Sequence, residues 1–256
     1  MARVFITGSS DGLGLLSGKI LAEQGHAVTL HARNEERAAD AKKALPAAEH
    51  VVVGDFSSMA GMRAVATQAN EIGAYDAVIH NAGIGYSLPR QADTEDGLEL
   101  VFAVNVLAPY LVTALMKRPS RLVYLSSGLH HGGDPDLTDP QWRDQPYSGM
   151  QAYSDSKLFD VVLAFAMARK WRGVCSNAVH PGWVPTKMGG RGAPEDLTLG
   201  ATTQAWLAVS EEAAARVTGR YFFHKRPADS HPAARDERVQ DELLAYCAKL
   251  TGREIA

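Results

Sequence analysis

A tyrosine and a lysine four residues apart could exchange a proton with a substrate. Tyr153 and Lys157 lie in a stretch with helical character, so their side chains share one face of the predicted helix. An ammonium beside a tyrosine favours the phenolate form, which lets the hydroxyl act as an acid or a base near neutral pH. Taken alone, such a pair is more often a packed tyrosine beside a surface lysine, so its role depends on the rest of the chain.

Two serines end the fifth predicted strand, where ligands usually bind an open α/β sheet. Ser126 and Ser127 are followed by residues 129–150, a long excursion rich in Gly, Pro, Asp and His that leads to Tyr153. A serine hydroxyl at this place could position a substrate oxygen while the tyrosine moves a proton.

A glycine-rich turn follows the first predicted strand. It reads Thr7-Gly8-Ser9-Ser10-Asp11-Gly12-Leu13-Gly14, and a predicted helix follows. Glycines let the backbone bend sharply and approach a pyrophosphate, which then lies against the positive end of the helix. Alone this is a weak signal, because such turns also occur for packing reasons.

The end of the second predicted strand bears on which nicotinamide cofactor is used. An NAD site usually places a carboxylate about 20 residues beyond the glycine turn, to hold the ribose 2′-hydroxyl. Here the strand ends His31-Ala32-Arg33-Asn34, and the first acid, Glu35, already enters the next helix. Arg33 could pair with the 2′-phosphate of NADP, or it could be a solvated residue at the helix start. Asp11 in the glycine turn argues against NADP, so NADP(H) is favoured and NAD(H) stays open.

Short β-branched runs alternate along the chain with longer helical stretches, and these elements must position the residues named above. This pattern predicts an α/β fold, a single doubly wound (Rossmann) domain over residues 1–256 with a seven-stranded parallel sheet and helices on both faces. The predicted strands are residues 3–7, 27–31, 50–53, 77–80, 122–126, 174–179 and 221–223. The predicted helices are residues 13–24, 35–45, 59–71, 98–116, 153–171, 199–209 and 239–250.

Five motifs together resemble those of the short-chain dehydrogenase/reductase family. In chain order they are TGSSDGLG from Thr7, similar to TGxxxGxG; His80-Asn81-Ala82-Gly83, similar to NNAG except at its first position; Asn105; Tyr153-Ser154-Asp155-Ser156-Lys157, matching YxxxK; and Pro181-Gly182-Trp183-Val184-Pro185-Thr186, matching PGxVxT. They occur in the family's order over most of the chain.

The residues at the start of the long loop narrow the family resemblance to one branch of the family. Ser126-Ser127-Gly128-Leu129-His130-His131 is similar to the retinol-dehydrogenase-like and carbonyl-reductase branch. By that likeness Ser127 is the catalytic serine, and Ser126 turns into the sheet.

The resemblance implies a full set of site residues. Asn105, Ser127, Tyr153 and Lys157 would be catalytic, with Asn105 holding a water that links Lys157 to solvent. The residues that would bind the cofactor are Gly8, Ser10, Gly12, Leu13, Gly14, Arg33, Asp55, Phe56, Asn81, Ala82, Gly83, Tyr153, Lys157, Pro181, Gly182, Val184 and Thr186. Asn105 could instead only bond neighbouring backbone.

Individual contacts follow from the same resemblance. Asp55 and the backbone of Phe56 would meet the adenine, and Thr186 would hold the carboxamide. Asp55 could also be an ordinary helix N-cap. The glycine-rich residues 185–194 would close over the substrate.

These assignments predict reduction of a ketone or aldehyde to an alcohol. Tyr153 would deliver a proton to the oxygen, Ser127 would hydrogen-bond it, and Lys157 would hold the nicotinamide ribose; the hydride chemistry belongs to the cofactor. An NAD-dependent alcohol dehydrogenase and a non-catalytic dinucleotide-binding sensor are the alternatives. A sensor would typically have lost the tyrosine or the lysine.

Four large side chains on the loops around Ser127 and Thr186 suggest a hydrophobic substrate. They are Trp142, Tyr147, Met150 and Trp183, and each could equally anchor its loop.

Composition excludes several other classes of function. A net charge of −3 gives no reason to expect nucleic acid as a partner. No stretch approaches the length of about 18 apolar residues that a membrane span needs. Two distant cysteines and no leader segment favour a reduced, cytoplasmic protein. His130, His131, Asp134 and Asp136 lack the spacing of metal ligands, so no metal is expected.

The expected partner is therefore a small carbonyl or alcohol substrate. Family members are often dimers or tetramers through their long helices, so the resemblance implies a homodimer or homotetramer.

Overall fold

A computed structural model describes residues 1–87 and 91–255 of the chain. Strands and helices alternate as the sequence predicts. In chain order the elements are β1 (Arg3–Ile6), α1 (Gly12–Glu23), β2 (Ala27–Ala32), α2 (Glu35–Ala44), β3 (His50–Val53), α3 (Met59–Ile72), β4 (Ala77–His80), α4 (Leu100–Phe102), α5 (Ala108–Leu115), β5 (Arg121–Leu125), α6 (Gly149–Lys170), β6 (Cys175–His180), α7 (Leu197–Val209), β7 (Tyr221–Phe223), β8 (Arg226–Ala228) and α8 (Glu237–Thr251).

The strands form one sheet in the order β3-β2-β1-β4-β5-β6-β7-β8. β1 to β7 are all parallel, and Val4 of β1 pairs with Val28 of β2 on one side and Ala77 of β4 on the other. The chain therefore reverses its direction of travel across the sheet between β1 and β4. This is the place where an open α/β sheet binds its ligands.

The sheet is covered on both faces, as the predicted fold class requires. Phe5 points into a core with α3, α5, α6 and α8, whereas its neighbours Val4 and Ile6 point into a core with α1, α2 and α7. Alternate residues of a strand face opposite sides of a sheet. The doubly wound fold is confirmed.

The prediction of seven strands is wrong by one. β8 pairs antiparallel with β7 across a two-residue turn, in which His224 and Lys225 adopt positive φ angles of 46° and 63°. The turn carries neither Gly nor Asn, and Pro227 lies in the exposed edge strand, so the usual hairpin signals are missing.

The helix predicted over residues 98–116 is interrupted. Between α4 and α5 the segment Ala103–Leu107 is π-helical, and Asn105 lies in it. Such π-helical turns are frequent at functional sites.

The C-terminal helix lies across the long helix of the catalytic motif. Arg169 of α6 donates from Nε to Gln240 of α8 at 2.9 Å, and Leu243 and Cys247 are fully buried there. One side of α6 is therefore covered by α8 of the same chain. None of the described helices has the length and apolar character to cross a membrane.

Candidate active site

One cleft of about 1140 Å³ runs along the carboxyl ends of the central strands. The predicted site residues that line it are Gly8, Ser10, Gly12, Leu13, Arg33, Asp55, Phe56, Asn81, Ala82, Gly83, Ser127, Tyr153, Lys157, Pro181, Gly182, Val184 and Thr186. Two others, Gly14 and Asn105, lie behind its wall. Motifs far apart in sequence thus meet in one place, because the carboxyl ends of parallel strands share an edge of the sheet.

The glycines of the first turn differ in how closely the neighbouring residues approach them. Gly8 has φ +59°, and a Cβ there would lie 2.6 Å from the Cα of Ala82. A Cβ on Gly14 would lie 2.5 Å from the Asn81 side-chain nitrogen, so both glycines let the turn pack against the Asn81-Ala82-Gly83 motif. Gly12 has φ +55°, and a Cβ there would make no tight contact, since its nearest neighbour would be the Thr186 methyl carbon 4.0 Å away. The turn can therefore admit a ligand at Gly12.

The N-terminus of α1 lacks the side-chain cap that the other long helices have. Asn34, Ser58, Ser148, Asp196 and Asp236 each accept a backbone N–H in the first turn of α2, α3, α6, α7 and α8. Asp11 does not cap α1, and its carboxylate turns elsewhere. The first-turn N–H groups of α1 thus remain for an anion in the cleft, which fits a dinucleotide pyrophosphate.

Two cationic residues that the sequence did not single out, Arg37 and Lys187, contact Asp11. Arg37 forms an ion pair with Asp11 and donates to the Ser10 hydroxyl at 3.2 Å. Lys187 donates to Asp11 at 2.6 Å. Partial burial opposes the Asp11 carboxylate, but the hydrogen bond from Lys187 and the charge of Arg37 hold its pKa below the ordinary value. Asp11 therefore does not leave a bare negative charge beside the phosphate site.

Arg37 could have been recognised from the sequence as a second cleft arginine, because it lies four residues after Arg33, at the start of α2. Both arginines line the cleft.

The helix-cap interpretation of Asp55 is wrong, because Ser58 caps α3 while Asp55 accepts the backbone N–H of Ser57 at 2.8 Å.

A buried histidine, also missed, joins the glycine turn to the neighbouring strands. His31 accepts the N–H of Gly8 on Nδ1 at 2.9 Å and bonds the carbonyl of Gly54 through Nε2 at 2.8 Å. These partners require the neutral ring with its proton on Nε2. Burial agrees with this, lowering the pKa of His31 to about 4. His31 also stacks on Phe56, with ring centroids 4.4 Å apart.

Tyr153 and Lys157 lie one turn apart on α6, on the wall of the cleft. The Lys157 nitrogen is 5.7 Å from the centre of the Tyr153 ring. It donates to the carbonyl of Leu125 at 3.0 Å and to Asp160 at 2.8 Å. The ammonium is therefore held close beneath the tyrosine rather than free in solvent.

Both serines line the cleft, but their hydroxyl groups have different partners. Ser126 is buried and donates to the Lys157 carbonyl at 2.7 Å, which ties the end of β5 to α6. The Ser127 hydroxyl accepts the backbone N–H of Leu129 at 3.2 Å and makes no other hydrogen bond to the described part of the chain. Its donor hydrogen is thus available to a substrate oxygen.

The backbone that carries Ser127 is fixed by two rings. Tyr221 donates to the Ser127 carbonyl at 3.3 Å, and His130 Nδ1 lies 2.7 Å from the same oxygen. His130 Nε2 accepts the N–H of His231 at 3.2 Å, and burial lowers the pKa of His130 to about 4. Both ring nitrogens have protein partners, which accounts for this histidine without a metal.

Asn105 is fully buried and uses its amide to join three segments. Its oxygen accepts the N–H of Ile84 at 2.8 Å, and its nitrogen donates to the Ile84 carbonyl at 3.0 Å and to Ser156 at 2.9 Å. These contacts hold the segment after β4 against α6. The expected water-mediated role stays a prediction.

The loop after the PGxVxT motif lies over the substrate end of the cleft. The Tyr153 hydroxyl points at the Met188 sulfur, 3.8 Å away, and Met188 packs tightly on Gly85. Thr186 accepts the N–H of Gly189 at 3.1 Å. Met188 therefore fills the space in front of the tyrosine hydroxyl.

Of the four side chains expected to form a substrate wall, two do. Met150 and Trp183 line the cleft and are half exposed. Trp142 is buried and pairs with Tyr147, whose hydroxyl points to Glu99 at 3.4 Å. These two aromatic residues anchor the long loop. The sequence could not show whether they would anchor the loop or line the cleft.

The family follows from this fold, this cleft and the comparisons with known proteins. The family model described as short chain dehydrogenase matches residues 2–132. An uncharacterized oxidoreductase of Emericella nidulans is 46% identical over 98% of both chains. Human retinol dehydrogenase 13 is 32% identical over 98% of this chain and 85% of its own length. The chain belongs to the short-chain dehydrogenase family, near its retinol-dehydrogenase-like branch.

A solved structure agrees with this assignment. An uncharacterized protein from Mycobacterium paratuberculosis has a TM-score of 0.85 at 26% identity, covering 100% of this chain and 95% of that one. The chain is thus an oxidoreductase of a family that binds nicotinamide dinucleotides.

Proposed function

We propose that this oxidoreductase reduces a hydrophobic ketone or aldehyde to an alcohol with NADPH, within one catalytic domain. The observation that carries the proposal is that Ser127, Tyr153 and Lys157 meet on the wall of the same cleft as the uncapped start of α1. When bound, the nicotinamide supplies the hydride. Tyr153 donates the proton that the substrate oxygen requires, and Ser127 donates a hydrogen bond to that oxygen.

Two arginines support NADP rather than NAD. Arg33 and Arg37 line the cleft beside the glycine turn, and no carboxylate ends β2. A guanidinium is well suited to a phosphate group, whereas NAD sites usually hold the 2′-hydroxyl with a carboxylate.

The substrate end of the cleft supports an apolar carbonyl compound. Among the described residues, the large hydrophobic side chains left exposed are Met1, Tyr86, Leu129, Met150, Trp183, Met188 and Leu199. Five of these seven line the cleft, all except Met1 and Leu199. An exposed apolar patch of this kind marks a binding site.

The test is turnover of a matched set of carbonyl compounds with NADPH. We expect reduction of aromatic ketones and long-chain aldehydes and none of a charged keto acid such as pyruvate. Tyr153→Phe should lower kcat at least about 100-fold, since it removes the proton donor. NADPH should still bind to this variant, as followed by nicotinamide fluorescence. Unchanged turnover by Tyr153→Phe, or preference for the charged acid, would contradict the proposal.

A further inference from the structure

The ammonium of Lys157 is held from behind by a buried carboxylate. Its nitrogen donates to Asp160 at 2.8 Å and to the Leu125 carbonyl at 3.0 Å. The side chains of Lys157 and Asp160 are only 6% and 3% exposed. An ammonium has three N–H donors, so these two contacts leave one for the cleft that Lys157 lines.

We propose that Asp160 is a positioning residue, which fixes Lys157 so that its remaining N–H is directed at the cofactor ribose. The inference rests on the proposed function, because that function assigns Lys157 to the ribose. Asp160 itself does not line the cleft, so it acts through Lys157.

Two physical effects support this role. A lysine side chain has a flexible four-carbon stem, and fixing it costs conformational entropy that a strong, charge-assisted bond offsets. Burial also disfavours the charged ammonium, but the charge of Asp160, the charge of Tyr153 and the hydrogen bond to Asp160 together outweigh burial and raise the pKa of Lys157 above its ordinary value. Asp160 thus keeps the buried lysine both oriented and protonated.

Among the residues that the structure describes, the hydrogen bond made by the Asp160 side chain is the one from Lys157. Apart from Lys157 on its own helix, the titratable group it faces is Tyr124 on β5, whose pKa is raised chiefly by burial and to a smaller extent by the Asp160 charge. Asp155, another buried acid of α6, accepts the N–H of Asp134 at 2.8 Å and the amide of Gln151 at 2.7 Å. Asp155 holds the long loop and does not contact Lys157, which makes it a matched control.

The experiment compares Asp160→Asn with Asp155→Asn in the full chain. Asparagine keeps the shape and an acceptor oxygen but removes the charge, so the effect of burial on the Lys157 ammonium is opposed less strongly. We expect the alkaline limb of the kcat profile for carbonyl reduction to move to lower pH by about one unit. NADPH affinity should weaken about threefold to tenfold at pH 8. The loss should be smaller at pH 6, because burial raises the pKa of Asp160 to about 6, so the wild type has already lost part of this charge there. Asp155→Asn should change neither.

A second variant separates positioning from charge. Asp160→Leu removes the acceptor as well, so we expect a larger loss of kcat and NADPH affinity than in Asp160→Asn. If Asp160→Leu does not fold, Asp160→Asn decides alone. An unmoved alkaline limb and unchanged NADPH affinity in Asp160→Asn would overturn the inference. If the wild-type protein turns over no carbonyl compound, the proposed function fails, but the pH dependence of NADPH affinity still tests Asp160.

Discussion

At the scale of single residues, the adenosine end of the cleft carries two arginines with different surroundings. Arg33 is exposed, whereas Arg37 is held by Asp11 and Ser10. The exposed guanidinium of Arg33 can rotate toward a phosphate, whereas the guanidinium of Arg37 is already held in one orientation beside the glycine turn. The two side chains are therefore expected to contribute together to recognition of a 2′-phosphate.

Replacing these arginines should remove the preference for NADPH over NADH. A charge-assisted hydrogen bond contributes about 1.5–3 kcal/mol, so Arg33→Ala or Arg37→Ala should weaken NADPH binding about tenfold or more. NADH binding should change little in Arg33→Ala, because NADH lacks the phosphate. Titration followed by nicotinamide fluorescence measures both, with Arg238→Ala on the exposed face of α8 as control. Equal weakening of NADH and NADPH in Arg33→Ala would show that this arginine does not read the phosphate.

At the scale of elements, residues 185–190 form a cover over the substrate end of the cleft. Lys187 joins this loop to the glycine turn through Asp11, while Met188 occupies the space in front of Tyr153. A carbonyl oxygen needs that space to reach the tyrosine hydroxyl. In the proposed reaction, Met188 therefore has to move away from Tyr153 when substrate binds.

Shortening Met188 should change which substrates are accepted. Met188→Ala enlarges the space before Tyr153, so kcat/KM for a bulky aromatic ketone should rise relative to a compact one, by about threefold to tenfold. Met188→Leu conserves volume and should leave that ratio nearly unchanged. The comparison is made with NADPH saturating, since Met188 has no expected role in its binding. The same ratio in all three proteins would show that Met188 does not limit access.

At the scale of the whole molecule, buried histidines link stability to pH. His31 and His80 are each 3% exposed, and burial lowers their pKa to about 4 and about 3. The unfolded chain would protonate them near the ordinary value of 6.5. Stability is thus undiminished above pH 6.5 and falls as the pH drops toward 4, because only the unfolded state gains these protons.

Removing one such histidine should flatten this dependence. Below pH 6.5 each buried neutral histidine costs up to about 1.4 kcal/mol of unfolding free energy per pH unit. His80→Asn should therefore lose less stability between pH 6.5 and 5 than the wild type, whatever its stability at pH 7. Urea denaturation at several pH values measures the slope, and His50→Gln, at an exposed site, should match the wild type. An unchanged slope in His80→Asn would mean that His80 is not kept neutral by the fold.

The sequence alone was sufficient for the main architecture and for most of the predicted residues that line the cleft. Strand period, helix length and glycine placement predict the parallel strands, and the five spaced motifs identify the family. The sequence did not show which side chains contact each other in the interior of the fold. Asp160 illustrates this, since a carboxylate three residues after Lys157 could as well face solvent until the packing of α6 against β5 and α8 is known.

By itself the sequence determined which chemical groups are present and on which strand end or helix face each one lies. Local backbone geometry dictates these positions. Examples are Tyr153 and Lys157 on one face of their helix and the turn from Gly8 to Gly14 at the end of its strand. Only the tertiary structure decided which residues share an environment: Asp11 with Arg37 and Lys187, Met188 with Tyr153, and Lys157 with Asp160. These pairings depend on how helices and loops pack over the sheet edge, because burial and distance, not residue type, set the strength of each interaction.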